Sequence, residues 1–268
     1  MPHFRPTVWP GTVIDQPPVM RPASVRVHDG GWLELLGPKT EIHLPTGFYL
    51  REMSAQRPRT IAEVAAFVEQ WGRASDPDSR DLVGGEEWME LQSAQFGEKW
   101  EGELPAGTTL VTGRIKLGGS LGRGYPYERA NLVHVFEVFE RSRMMSQLAK
   151  HAQAYSAGQY IGDWDLFLEY VNAALSAFQI RVLVEGEDRP FALPHLTAYS
   201  VAALQLYNDI ATGATYRICA SETCAVVFTT QRGRAVHYQR TSGTRYCTNG
   251  CARAQAERER RRRIRRGK

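Results

Sequence analysis

The chain has 268 residues, of which 43% are apolar and 23% charged, with a formal net charge of +4. That apolar content suffices for a core in one or two domains and excludes a disordered or fibrous chain. No run approaches the ~18 consecutive apolar residues of a membrane helix, and Met1-Pro-His-Phe-Arg-Pro lacks the basic-then-apolar layout of a signal peptide, so a cytoplasmic protein without membrane contact is expected.

The first 23 residues hold six prolines and read as an extended arm anchored by Val8, Trp9, Val13 and Ile14. Over 24–53, β-rich runs at 24–28, 32–36, 41–44 and 48–51 are separated by Asp29-Gly-Gly, Gly37-Pro and Pro45-Thr-Gly turns, which predicts a small antiparallel meander. Thr60, with Glu63 three residues on, forms a capping box for a helix to about Arg73, with Ile61, Val64, Ala65, Val68 and Trp71 on one face. Residues 86–100 read as a helix with Trp88, Leu91, Phe96 and Trp100 partly buried, and 108–117 alternate like a strand. The glycine-rich stretch 118–124 lacks the Gly-Lys-Ser/Thr ending of a phosphate-binding loop and reads as a connector.

From Glu128 the apolar pattern is helical, with Leu132, Val135, Phe136 and Phe139, then Met144, Met145, Leu148 and Ala149, as a core face. Asp163 is placed to cap a second helix carrying Trp164, Phe167, Leu168, Val171, Ala174, Leu175 and Phe178. Residues 180–184 suit a strand, and Thr197 is placed to cap a third helix through Val201, Leu204, Leu206, Tyr207 and Ile210. The methionines and aromatics on these faces read as core, and the scattered histidines show no i, i+4 pair that would suggest a metal.

All four cysteines fall in the last fifth of the chain: Cys219 and Cys224 with four residues between them, and Cys247 and Cys251 with three. In a reducing compartment two close pairs favour a metal over disulfides, and neither has the Cys-x-x-Cys spacing of a dithiol oxidoreductase. Four soft thiolates suit one Zn²⁺ in a closed, structural site with no open position for a catalytic water. Residues 216–219 and 225–230 are expected to form a hairpin around Phe228, and 246–251 a turn with Gly250 allowing a tight backbone, leading into a helix from Ala252. His237, in a polar loop, reads as solvated.

The order of an apolar helix, Arg217-Ile-Cys219-x4-Cys224-x3-Phe228, a basic linker, Tyr246-Cys247 and a last cysteine opening an Arg-rich helix resembles the C-terminal treble-clef zinc finger of bacterial CGNR-type proteins, over about 198–265. Cys251-Ala-Arg-Ala stands where that family has Cys-Gly-Asn-Arg. The resemblance implies zinc ligation by Cys219, Cys224, Cys247 and Cys251, with nucleic-acid binding nearby in a stress-related transcription regulator.

Charge points the same way. From Tyr216 onward 14 Lys/Arg face 3 Asp/Glu, leaving 19 basic against 26 acidic residues in the first 215. A basic end on an acidic body suits a polyanion-binding module. Arg253, Arg258, Arg261, Arg262, Arg265 and Arg266 on the helix, with Arg245 and Arg234 before it, are the candidate phosphate contacts. Only Ile264 interrupts the charge late in this helix, so it has no apolar face to enter a lipid surface.

The expected fold class is α+β: an N-terminal meander with helices over 1–125, a mainly helical region over 126–215, and a four-cysteine zinc finger with its basic helix over 216–268. The expected function is nucleic-acid binding, DNA more than RNA, without enzymatic activity and with a protein partner or homo-oligomer open. The alternative is an enzyme or small-molecule-binding body, with the finger as a structural or docking element.

Overall fold

A computed structural model describes residues 13–75, 81–83, 86–90, 108–111, 114–117, 131–159, 164–178, 196–230 and 243–267. Strand β1 (Val19–Arg21) forms within the stretch expected to be an extended arm, and β2 (Ser24–Val27), β3 (Trp32–Leu36) and β4 (Thr40–Ile42) fall where β-rich runs alternate with turns. They do not form one meander, because β4 folds back on β1 with Val19 opposite Ile42, while β2 pairs with β3 alone. The expected fourth strand at 48–51 is instead part of a π-helical segment, Tyr49–Ala55, that buries Tyr49, Leu50 and Met53. Four consecutive residues dominated by large side chains carry no period, so burial on both sides decides between the two conformations.

Helix α1 (Ile61–Trp71) starts at the expected capping box: Thr60 accepts from the Glu63 amide, and Glu63 accepts from the Thr60 amide. It ends at Gly72, whose φ of +81° and close approach to the Met20 carbonyl leave no room for a Cβ.

Strands β5 (Asp81–Val83), β6 (Glu86–Glu90), β7 (Thr109–Val111) and β8 (Arg114–Lys116) form a four-stranded antiparallel sheet in the order β5-β6-β8-β7. This corrects two expectations. Residues 86–90 are strand and not helix, with buried Met89 opposite buried Ile115 across the β6–β8 pair. The run at 108–117 is two strands paired with each other, not one. Cross-strand partners, which periodicity along one segment cannot see, outweigh the helical spacing of Trp88 and Leu91.

Residues 132–134, expected to be helical, form strand β9 (Leu132–His134), which pairs with β3 and completes the sheet β2-β3-β9. His134 stops the strand by capping the next helix, α2 (Val135–Ser156): its ring accepts from the Phe136 amide and its own amide donates to Glu137 at 2.9 Å. Glu137 is fully buried and is held by the Ser75 hydroxyl and the Arg73 guanidinium.

The first four turns of α2 are buried on nearly every side, so this helix is the centre of the core and not an amphipathic wall. Around it pack the π-helical segment, α1, α3 (Trp164–Leu175) and α4 (Ala198–Ala211). Thr197 caps α4 by accepting from the Ser200 amide, as its position predicts. Strands β10 (Thr215–Ile218) and β11 (Val227–Thr230) then form an antiparallel hairpin, and α5 (Asn249–Arg266) closes the chain.

The fold is α+β, with only antiparallel pairing among the described strands. The arm at 1–12, the connector at 118–124, the strand expected at 180–184 and the linker carrying Arg234 lie outside the described residues, as do residues 91–100 and the boundary expected at 125/126. Among the described residues no helix is long and apolar enough to cross a membrane.

Candidate metal centre and basic helix

The β10–β11 hairpin and the start of α5 bring the four cysteines together. Cys219 follows β10 at once, Cys224 sits in the turn between the strands, Cys247 precedes α5, and Cys251 lies in its first turn. Their sulfurs all fall within 4.8 Å of one another. Cys224 Sγ is 3.4 Å from Cys247 Sγ, which is 3.5 Å from Cys251 Sγ. Four sulfurs held at ~2.3 Å around a tetrahedral zinc lie about 3.8 Å apart, so the cluster fits such an ion. None of the four forms a disulfide.

Backbone groups are arranged to receive thiolates. The Cys247 amide donates to Cys219 Sγ at 3.3 Å, and the Val226 backbone hydrogen-bonds to Cys224. The Cys219 amide donates to the Val226 carbonyl at 2.9 Å and the Cys224 amide to Ser221 at 3.0 Å, fixing the turn. The tight backbone expected at Gly250 occurs instead at Ala225, the one described non-glycine residue with positive φ, 49°. Gly250 is helical.

Thr248 caps α5, accepting from the Cys251 amide at 3.0 Å, so the helix begins three residues before the expected Ala252 and aims its N-terminus at the sulfurs. Contact with the Thr248 hydroxyl, and then with Cys247, draws the Cys251 thiol down to about 7. Burial and then its thiol neighbours push Cys247 well up. Crowded thiols resist joint ionisation, and a divalent cation among them removes that resistance.

The module's own core is small: Cys219, Phe228 and Cys247, with Cys224, Val226, Tyr246 and Cys251 against it. It is seated on the body by Tyr216 and Val227, which pack against the large core, and by polar contacts. Arg51 Nη2 donates to the Cys247 carbonyl at 3.0 Å. The buried Tyr49 hydroxyl donates to Asp209 Oδ2 at 2.6 Å and lies 3.0 Å from the Tyr216 hydroxyl. Burial raises the Asp209 carboxyl to about 6 in spite of hydrogen bonds from Tyr49 and Thr229.

The candidate arginines do not share one environment. Arg245, Arg253, Arg265 and Arg266 are exposed. Arg261 is exposed and donates to Glu257 at 2.9 Å. Arg262 donates to both oxygens of Glu222 at 2.6 Å, and Arg258 donates to Ser221, Thr223 and Gln255. Gln255, 4% exposed, donates to Glu222 at 3.1 Å and accepts from its amide.

Several of these partners escape sequence reading. Thr248 is legible, since a threonine three residues before the first helical cysteine is a cap signal. Arg51 and Glu222 are not, because their partners lie 196 and 40 residues away.

Comparison of the chain with protein-family models, curated proteins and solved structures gives no significant match.

Proposed function

We propose that this chain is a bacterial-type, cytoplasmic nucleic-acid-binding protein and a transcription regulator of the CGNR kind. In this reading one structural zinc, held by Cys219, Cys224, Cys247 and Cys251, presents α5 to the phosphate backbone. The observation that carries it is the rooting of a helix with 8 arginines against 2 glutamates in the four-sulfur cluster, through Cys251 in its first turn. A free helix of that charge repels itself; one fixed at its N-terminus by a metal ligand offers a preset row of guanidinium groups.

DNA suits this element better than RNA. An α-helix ~10–12 Å across enters the ~12 Å major groove of B-DNA, whereas the major groove of A-form RNA is too narrow and deep for it. Fluorescence polarisation of the zinc-loaded protein with random-sequence duplex, single-stranded DNA and double-stranded RNA at low and high salt tests the reading. Binding that weakens steeply with salt is expected. No binding at low salt by protein holding one zinc per chain sinks it.

A further inference from the structure

We infer, resting on the nucleic-acid-binding reading above, that duplex DNA is gripped by one face of α5, through Arg253, Arg260 and Arg263 around Ala256, while Arg258 and Arg262 clamp that helix to the four-cysteine module. At 100° per residue, Cys251, Gln255, Arg258 and Arg262 fall within roughly 60° of one another on the helix, and Arg253, Ala256, Arg260 and Arg263 lie on a stripe centred roughly 150° round the axis. The first stripe faces the module. Arg262, though 56% exposed, donates from Nη1 and Nη2 to the two oxygens of Glu222 at 2.6 Å and so ties α5 to a residue 40 positions away, and Arg258 reaches Ser221 Oγ at 3.3 Å, Thr223 Oγ1 at 2.7 Å and Gln255 Oε1 at 3.4 Å. Glu222 also takes a hydrogen bond from buried Gln255. These contacts, with Cys251 and its cap, fix the direction of the helix on the module.

The second stripe faces away. Arg253, Ala256, Arg260 and Arg263 are all exposed, and Arg253 and Arg263 have no side-chain partner among the described residues. Arg260 contacts only Glu257, on its own helix, leaving Nη1 unused. An exposed pair within one helix contributes little and exchanges readily for a phosphate. From Arg253 to Arg263 the rise is about 15 Å, which with the reach of two arginines bridges the ~12 Å major groove. Ala256 between them lets the helix backbone come close, and Ile264, 49% exposed, lies on the edge of the same stripe.

The test uses the full-length, zinc-loaded protein and a random-sequence duplex, with log K measured against log salt between about 50 and 200 mM. The R253Q/R260Q/R263Q variant is expected to lower the slope by about 2.7, near 0.9 per phosphate lost. The R258Q/R262Q variant is expected to keep the wild-type slope while the amides of α5 exchange faster. Zinc content and circular dichroism establish that both variants are folded. A drop in slope for the double variant as large as that for the triple, or no drop for the triple, overturns the division of the helix and leaves nucleic-acid binding standing. Tighter binding to single strands or to double-stranded RNA overturns the duplex assignment. Absence of binding by the wild-type protein overturns this inference together with the function it rests on.

Discussion

Ala225 lies between the ligand-set residue Cys224 and Val226 with φ of 49°, where an L residue is disfavoured by roughly 1–2 kcal/mol. The strain persists because the Cys224 turn and the Cys219–Val226 hydrogen bond close on either side of it. Ala225→Gly is expected to bind zinc at least as tightly as wild type, and Ala225→Val about tenfold or more weakly, since a branched Cβ worsens the clash. Competition against a chromophoric chelator measures both. The other residue with a consequence is Asp209. Its carboxyl is raised from the ordinary 3.8 to about 6 by burial, so the folded protein holds the proton more tightly than the unfolded chain. The stabilisation is therefore full below the unfolded value and is lost as pH rises through about 6, about 3 kcal/mol in all and about 1 kcal/mol between pH 5 and 7. Asp209→Asn removes this contribution, so the unfolding free energies of variant and wild type from urea titrations at those two pH values should diverge by that amount in the variant's favour as pH rises.

At the scale of elements, the caps were the most legible features. Thr60 with Glu63, and Thr197, start their helices where expected because a cap is a local hydrogen bond between residues three apart. Thr248 is a cap of the same kind, at a helix expected only from Ala252, and it joins helix formation to the four-cysteine cluster. Thr248→Ala is expected to cost about 1 kcal/mol, seen as a roughly fivefold weaker zinc affinity with one zinc still bound at saturation. Strands were less legible. The segment at 132–134 became a strand because β3 offers a pairing edge about 100 residues away, and 86–90 became one between β8, 24 or more residues away, and β5, joined to it in sequence by Gly84-Gly85, a hairpin signal that helical spacing masked. The π-helical segment at Tyr49–Ala55 replaced an expected strand for a similar reason, since α2, α4 and β11 enclose it.

For the whole molecule, the contrast is between a large body core centred on α2 and a module whose apolar cluster has three buried members, two of them cysteines. So small a cluster does not hold a fold by itself, and under the proposed zinc ligation metal binding would supply its folding free energy. Removing metal with a chelator is expected to erase exchange protection of the amides at 216–230 and 246–251 while α2 and α4 keep theirs, as hydrogen exchange with mass spectrometry would show. Loss of protection throughout would mean that the Arg51 and Tyr49–Asp209–Tyr216 contacts make body and module one cooperative unit.

The four-thiol set, the hairpin around Phe228, the capped starts of α1 and α4 and the basic C-terminal helix could all be read from the chain, because each is written in spacings of a few residues or in charge density. Three matters were decided only in three dimensions: the pairing of 86–90 with β8 and of 132–134 with β3, the seat of the module on Arg51, Tyr49 and Asp209, and the split of the arginines into a row bound to Glu222 and its neighbours and a row without module partners. Each depends on groups distant in sequence, whose meeting is set by how the elements pack around α2 and not by any pattern within one of them.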